Sequence, residues 1–163
     1  MKNGEIQEEG VRVLRVESPP SAFMDHVLVT LVGEGPYVLI DAGYSEQSDF
    51  VAGWAADHAG GGLEALLLTH HHHDHLGGAE AVAAATGAAC RAHPREIALM
   101  RERAPSLGIE PIGDGDIFRA GGIELEAVLT PGPSPGHLAF WWRERGILFG
   151  GDVVLMTTST WVG

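Results

Sequence analysis

Apolar and polar positions alternate from Val11 to Val16 ("VRVLRV"), and strand-like runs follow at His26 to Gly33 ("HVLVTLVG") and Tyr37 to Gly43 ("YVLIDAG"). The segment "ESPPSAFMD" and the tight turn "EGP" separate these runs, so the pattern predicts an antiparallel meander. From Ser45 to His58 the period becomes helical. Phe50, Val51, Trp54 and Ala55 share one face, Ser45 stands as the cap, and the glycines at 60–62 stop the helix. "LEALLLTH" (Leu63 to His70) is an almost continuous apolar run after a helix, which predicts a strand buried on both faces. A helix from about Gly78 to Thr86, a strand at "AACRAH" and a helix from Pro94 to about Arg103 follow, with Pro94 suited to a helix start. From Ile109 onward the chain returns to strands: "DIFRAGG", "IELEAVLT", "HLAFWWRE" and "GILFGGD". This order predicts an α/β (α+β) fold in which helices cover a mixed sheet.

A length of 163 residues sets the expectation of a single domain, 1–163, with a substantial core. The formal net charge of −12 works against attraction to nucleic acid or an anionic membrane, and neither is expected as a partner. No apolar run approaches the length of a membrane span. "MKNGEIQEEG" has no apolar signal-peptide region and Cys90 is alone, which together set the expectation of a cytoplasmic protein. Cys90 itself, in "GAACRAHP", reads as a buried structural thiol.

Five of the nine histidines lie in "LLLTHHHHDHLGG", residues 66–78. In an extended segment side chains at i and i+2 share a side, so His70 and His72 can reach one cation while His71 and His73 point away as bystanders. Asp74 and His75 follow where the chain turns, and Gly77 and Gly78 allow a tight path onward. "HxHxDH" therefore offers three imidazoles and a carboxylate within six residues, a donor set that suits zinc and also iron or manganese. Other polar residues have plainer readings. His26, His58 and His93 look like strand or helix-end residues, and Asp114 and Asp116 look like turn residues. One of Trp141 and Trp142 should face the core, and Trp161 reads as an interface anchor.

"HxHxDH" at the end of a strand resembles the signature of the metallo-β-lactamase-fold hydrolases. "VLIDAG" (Val38 to Gly43), "TPGPSPGH" (Thr130 to His137) and "LFGGD" (Leu148 to Asp152) resemble further elements of that family in the same order. The resemblance implies an αββα sandwich, incomplete in its C-terminal half because the usual last strand and closing helices are missing. It implies His70 and His72 on a first metal, Asp74 and His75 on a second, and Asp152 bridging both. One or two zinc ions would activate a water that Asp74 also orients as a catalytic group. Asp41, in the loop beneath the metals, and His137 are implied as metal or supporting residues. The family's "TPGHxxGH" loop supplies a third ligand through its first His, and that position is Pro133 here, which has no donor atom.

The resemblance is nearest to hydroxyacylglutathione-hydrolase-like members, which implies metal-dependent hydrolysis of a small ester or thioester. The rival expectation is a catalytically inactive metal-binding or self-assembling piece of the fold, forming a homodimer that covers the unfinished sheet face. A mononuclear iron oxygenase ranks behind both, because such members generally use the position occupied by Pro133.

Overall fold

In the computed structural model, which describes residues 4–22 and 24–153, the apolar run at Leu63–Leu67 lies inside a seven-stranded sheet. That sheet is built in chain order from β1 (Gly4–Glu8), β2 (Val11–Glu17), β3 (His26–Val32), β4 (Tyr37–Ile40), β5 (Leu63–Leu67), β6 (Ala89–Ala92) and β7 (Ile109–Pro111). The first four strands pair antiparallel, as the meander pattern predicts. From β4 to β7 the pairing is parallel, which requires crossovers. These carry α1 (Ser48–Ala59), then α2 (His73–Leu76) and α3 (Ala79–Thr86), and finally α4 (Pro94–Arg103). A second, antiparallel sheet has the order β11 (Ile147–Phe149), β10 (Leu138–Trp142), β9 (Ile123–Leu129) and β8 (Ile117–Ala120).

The period of two along β5 divides its side chains between two cores. Leu66, with Leu68 just beyond the strand, packs toward α1, α3 and α4, where Val51, Ala55, Val82, Ile97 and Met100 lie. Ala65 and Leu67 face the second sheet, against Leu125, Ala127, Leu138, Phe140 and Trp142. Trp142 is thus the core member of the tryptophan pair, while Trp141 pairs with Leu148 on the opposite face. The described helices pack on the first sheet, and Ile117 and Leu148 on the far side of the second remain exposed. The described residues therefore supply three of the four sandwich layers. None of their helices is long and apolar enough to cross a membrane.

Three local expectations are corrected. β1 was not anticipated, because all five of its residues are exposed and an edge strand with no buried face leaves no alternating signal. Phe50 is 45% exposed: α1 buries Val51, Ala52, Trp54, Ala55 and Ala59, and Phe50 lies about 130° around the helix from the middle of that stripe. Ser45 does not cap α1. It opens a short 3₁₀ turn, Ser45–Gln47, and its hydroxyl donates to the Glu46 carboxylate. Pro94 does open α4, where His93 accepts a hydrogen bond from the Arg95 N–H. Asp114 and Asp116 accept from backbone N–H groups of Leu129 and Gly113, the turn role read from the sequence. Trp161 lies outside the described residues.

Cys90 is buried on β6, and burial pushes its thiol up to about 12. A thiol reagent at pH 8 is expected to leave the native protein unmodified and to react fully once denaturant is added. Prompt labelling of native protein would contradict this packing.

Candidate metal centre

β4 and β5 run parallel, so their carboxyl ends open on the same side of the sheet, where a crevice can hold a ligand. β4 is followed by Asp41, and β5 by Leu68, Thr69 and His70. Asp41 has φ 59, the sole positive value among the described non-glycine residues. Left-handed backbone is uncommon outside glycine, and Asp is among the residue types that tolerate it. This turn aims a buried carboxylate across to the end of β5. Asp41 Oδ1 accepts from the Thr69 N–H at 2.8 Å, and the Thr69 hydroxyl lies within hydrogen-bonding range of both carboxylate oxygens. Asp41 Oδ2 meets His75 Nδ1 at 2.7 Å.

These contacts select the free nitrogens. The Thr69 hydroxyl spends its proton on Asp41, so it accepts from His70 Nδ1 at 3.0 Å. His75 Nδ1 is likewise engaged by Asp41, which leaves Nε2 of both rings buried and without a hydrogen-bond partner. Buried unpartnered nitrogens are costly, and two of them converging on one place is the arrangement a cation would satisfy. His70 is buried and His72 half-buried, and their ring centroids are 4.4 Å apart. Burial, reinforced by the neighbouring imidazoles, holds His70 far below the usual imidazole range and lowers His72 as well. Both rings are therefore uncharged near neutrality, the form that can ligate. Burial alone would also lower His75, but the Asp41 carboxylate beside it, helped by Asp152, raises it well above the ordinary value.

The second half of the site comes from the other sheet. β11 ends at Phe149, and a 3₁₀ turn, Gly151–Val153, carries Asp152, so the aspartate stands just beyond the strand rather than on it. Gly151 is required there: its φ is +51, and a Cβ would come within 2.7 Å of His137 Nε2. Asp152 Oδ1 lies 3.1 Å from His75 Nε2, and Oδ2 lies 3.6 Å from His70 Nε2. Although burial opposes it, the His75 imidazole beside it keeps the Asp152 carboxyl below its usual range. Two groups result, His70 with His72 and Asp152, and Asp74 with His75 and Asp152. In each, the donor atoms lie within 4.8 Å of one another and could hold a metal ion.

His137 stands behind this cluster, fully buried. Its Nε2 accepts from the Asp152 N–H at 3.2 Å, which leaves Nδ1 to carry the proton and donate to the Thr130 hydroxyl at 2.8 Å. With both nitrogens occupied, His137 holds Asp152 in place, and Asp41 does the same for His75. Of the two residues expected from the i, i+2 pattern to point away, His73 has an exposed side chain. His71 turns to the buried carboxylate of Glu96, 2.5 Å from its Nδ1. Neither Glu96 nor Thr69 was singled out from the sequence. Thr69 ends the apolar run directly before His70, a signal that could have found it, whereas nothing local marks Glu96.

Gly77 and Gly78 are needed for a close approach and not for positive φ. A Cβ on Gly78 would lie 2.3 Å from the Ala42 carbonyl oxygen, and one on Gly77 2.4 Å from the Ser45 N. Gly78→Ala is therefore expected to push α2 away from the loop after β4 and to cost about 1–3 kcal/mol. An unchanged denaturation midpoint would show that the two segments are not packed this tightly.

Beside the cluster an apolar groove of about 670 Å³ runs between the sheets, lined by Val13, Ile40, Ile147 and Phe149 and ending at His75 and Asp152.

The sequence matches the family model described as the metallo-beta-lactamase superfamily over residues 24–162. It is 31% identical over 156 residues to the lactamase-like protein ptaB of Pestalotiopsis fici, a match covering 93% of this chain and 47% of that protein. A hydroxyacylglutathione hydrolase of Maricaulis maris is 38% identical over 99 residues, covering 61% of this chain and 37% of the relative. The chain thus spans about half the length of the first of these relatives, or less. Among solved structures, a metallo-beta-lactamase family protein from Thermus thermophilus superposes with a TM-score of 0.79 at 25% identity, covering 94% of this chain and 62% of that one. A flavo di-iron protein mutant from Thermotoga maritima gives 0.81 at 19% identity, covering 93% and 42%, which bears on the fold alone.

Proposed function

Because the chain belongs to the metallo-beta-lactamase superfamily, we propose that its site is a metal centre for hydrolysis of small ester or thioester substrates. The observation that carries this reading is the pair of buried, unpartnered Nε2 atoms of His70 and His75 facing the two oxygens of Asp152. The donors fit a cation: imidazole nitrogen and carboxylate oxygen suit zinc, and iron or manganese are the alternatives. His70, His72 and Asp152 would hold one ion, and Asp74, His75 and Asp152 a second. A bound divalent ion would supply Lewis acidity, lowering the pKa of a water and polarising the substrate carbonyl.

The protein's own groups do the rest. Asp41 and Thr69 fix the rings of His75 and His70 with Nε2 pointing inward, and His137 fixes the backbone of Asp152. Asp74, with its side chain mostly shielded and Oδ2 3.7 Å from His75 Nε2, would orient a water and take its proton. The apolar groove leaves room for a small substrate. Resemblance to relatives named hydroxyacylglutathione hydrolase supports the thioester choice.

The test is hydrolysis of aryl-ester and acyl-thioester substrates by zinc-loaded protein. Turnover should vanish with a chelator and return with zinc. Tight metal binding without turnover on either class would favour the rival reading, a metal-binding piece of the fold. Pro133 bears on the same question, since it provides no donor where the family's loop has a ligand. Pro133→His is expected to tighten zinc binding by about tenfold or more. Calorimetric titration reads this directly, and equal affinity in both proteins would mean that the 130–137 loop does not approach the ions.

A further inference from the structure

Glu96 is completely buried on α4, a helix that otherwise faces the apolar core with Ile97 and Met100. A carboxylate in such a place is expensive unless donors surround it. Here they come from two separate loops. Glu96 Oε2 accepts from the His71 N–H at 3.1 Å and lies 2.5 Å from His71 Nδ1, while Oε1 accepts from the Gly136 N–H at 2.7 Å. Two turns along the same helix, Arg103 donates to the His71 carbonyl at 2.8 Å. Gly136 suits this contact, because a Cβ there would lie 2.8 Å from Glu96 Oε1.

The two loops are the ones that build the metal cluster. His71 stands between His70 and His72, so clamping its N–H, ring and carbonyl sets the direction in which its neighbours project. Gly136 precedes His137, whose Nε2 receives the Asp152 N–H. We infer that Glu96 is a positioning residue for the metal centre, holding the His70–His72 loop through His71 and the Asp152 turn through Gly136 and His137. A buried polar group stabilises a fold poorly compared with well-packed apolar residues, and holding one particular arrangement is a role such groups can serve. Residues behind metal ligands typically change affinity by about 10- to 100-fold when removed.

This inference rests on the proposed metal centre, and its test separates the two. Full-length protein is titrated with Co(II) and followed by its visible absorption, alongside thermal melts of the metal-free forms. Glu96→Gln and His71→Ala should each weaken Co(II) binding by about 10- to 100-fold and alter the visible band. The double variant should be little worse than the weaker single one, because both remove the same link. His71→Gln, which keeps a side-chain donor for Glu96, should recover most of the affinity. Glu80→Gln is the control: Glu80 accepts from the N–H and hydroxyl of Ser106 at an exposed site on α3, away from the cluster. It should lower the melting temperature and leave Co(II) binding intact.

Unchanged affinity in Glu96→Gln, or an equal loss in Glu80→Gln, would overturn the positioning role. If Glu96→Gln does not fold, the His71 pair decides: equal affinity in His71→Ala and His71→Gln also overturns it. Wild-type protein that binds no Co(II) would instead refute the metal centre, and this role with it.

Discussion

Replacing Asp152 with Ala is expected to abolish metal binding in both groups at once and to reduce hydrolysis to background. Its two oxygens face different imidazoles, His75 at 3.1 Å and His70 at 3.6 Å, and each three-residue group contains it. No other side chain in the cluster is shared in this way. The fold should survive, because Asp152 is only partly buried and sits on a 3₁₀ turn just beyond β11. Equilibrium dialysis against zinc, with circular dichroism as the check on folding, measures both parts. A variant that keeps one zinc per chain would show that the two groups do not depend on a common carboxylate.

Asp41→Ala should be the most damaging change to the fold itself. The Asp41 carboxylate answers the Thr69 N–H, the Thr69 hydroxyl and His75 Nδ1, all buried. Breaking such a network on one side costs about 3–5 kcal/mol, a large share of the 5–15 kcal/mol by which a domain is ordinarily stable. Alanine must also hold a φ of 59, which it does less readily than aspartate. Urea denaturation should show the loss, and zinc affinity should fall with it because His75 is freed to rotate. Asp41→Asn tolerates the same backbone and keeps one acceptor oxygen, so it should fall between the two. If Asp41→Ala melts like the wild type, the network beneath His75 is not formed in solution.

How far the sequence could be read follows from the range of each interaction. β5 was visible as an apolar run because both its faces are buried, and α4 because Pro94 and its periodic face lie within one segment. Local periodicity also brought out "HxHxDH", since His70, His72, Asp74 and His75 are near neighbours in the chain. The i, i+2 argument covers only the first part of that motif: from His73 the chain is helical, and Asp74 and His75 reach the cluster from the turn of α2. The partner of His71 was out of reach for a related reason. The alternation points His71 away from the cluster correctly, but what it meets there is Glu96, 25 residues on and on another helix. No local pattern reports such a pairing. The exposed β1 strand, which joins β2 by backbone pairing and by Arg12 hydrogen bonds to Glu5 and Gln7, gave no hydrophobic period to detect.

The central claim is that His70, His72, Asp74, His75 and Asp152 together hold metal. Elemental analysis of protein purified without a histidine tag tests it most directly, compared with a His70→Ala, His72→Ala double variant. One or two zinc, iron or manganese ions per chain, reduced in the variant, is the predicted result. Metal-free wild-type protein that also fails to take up zinc on dialysis would contradict it.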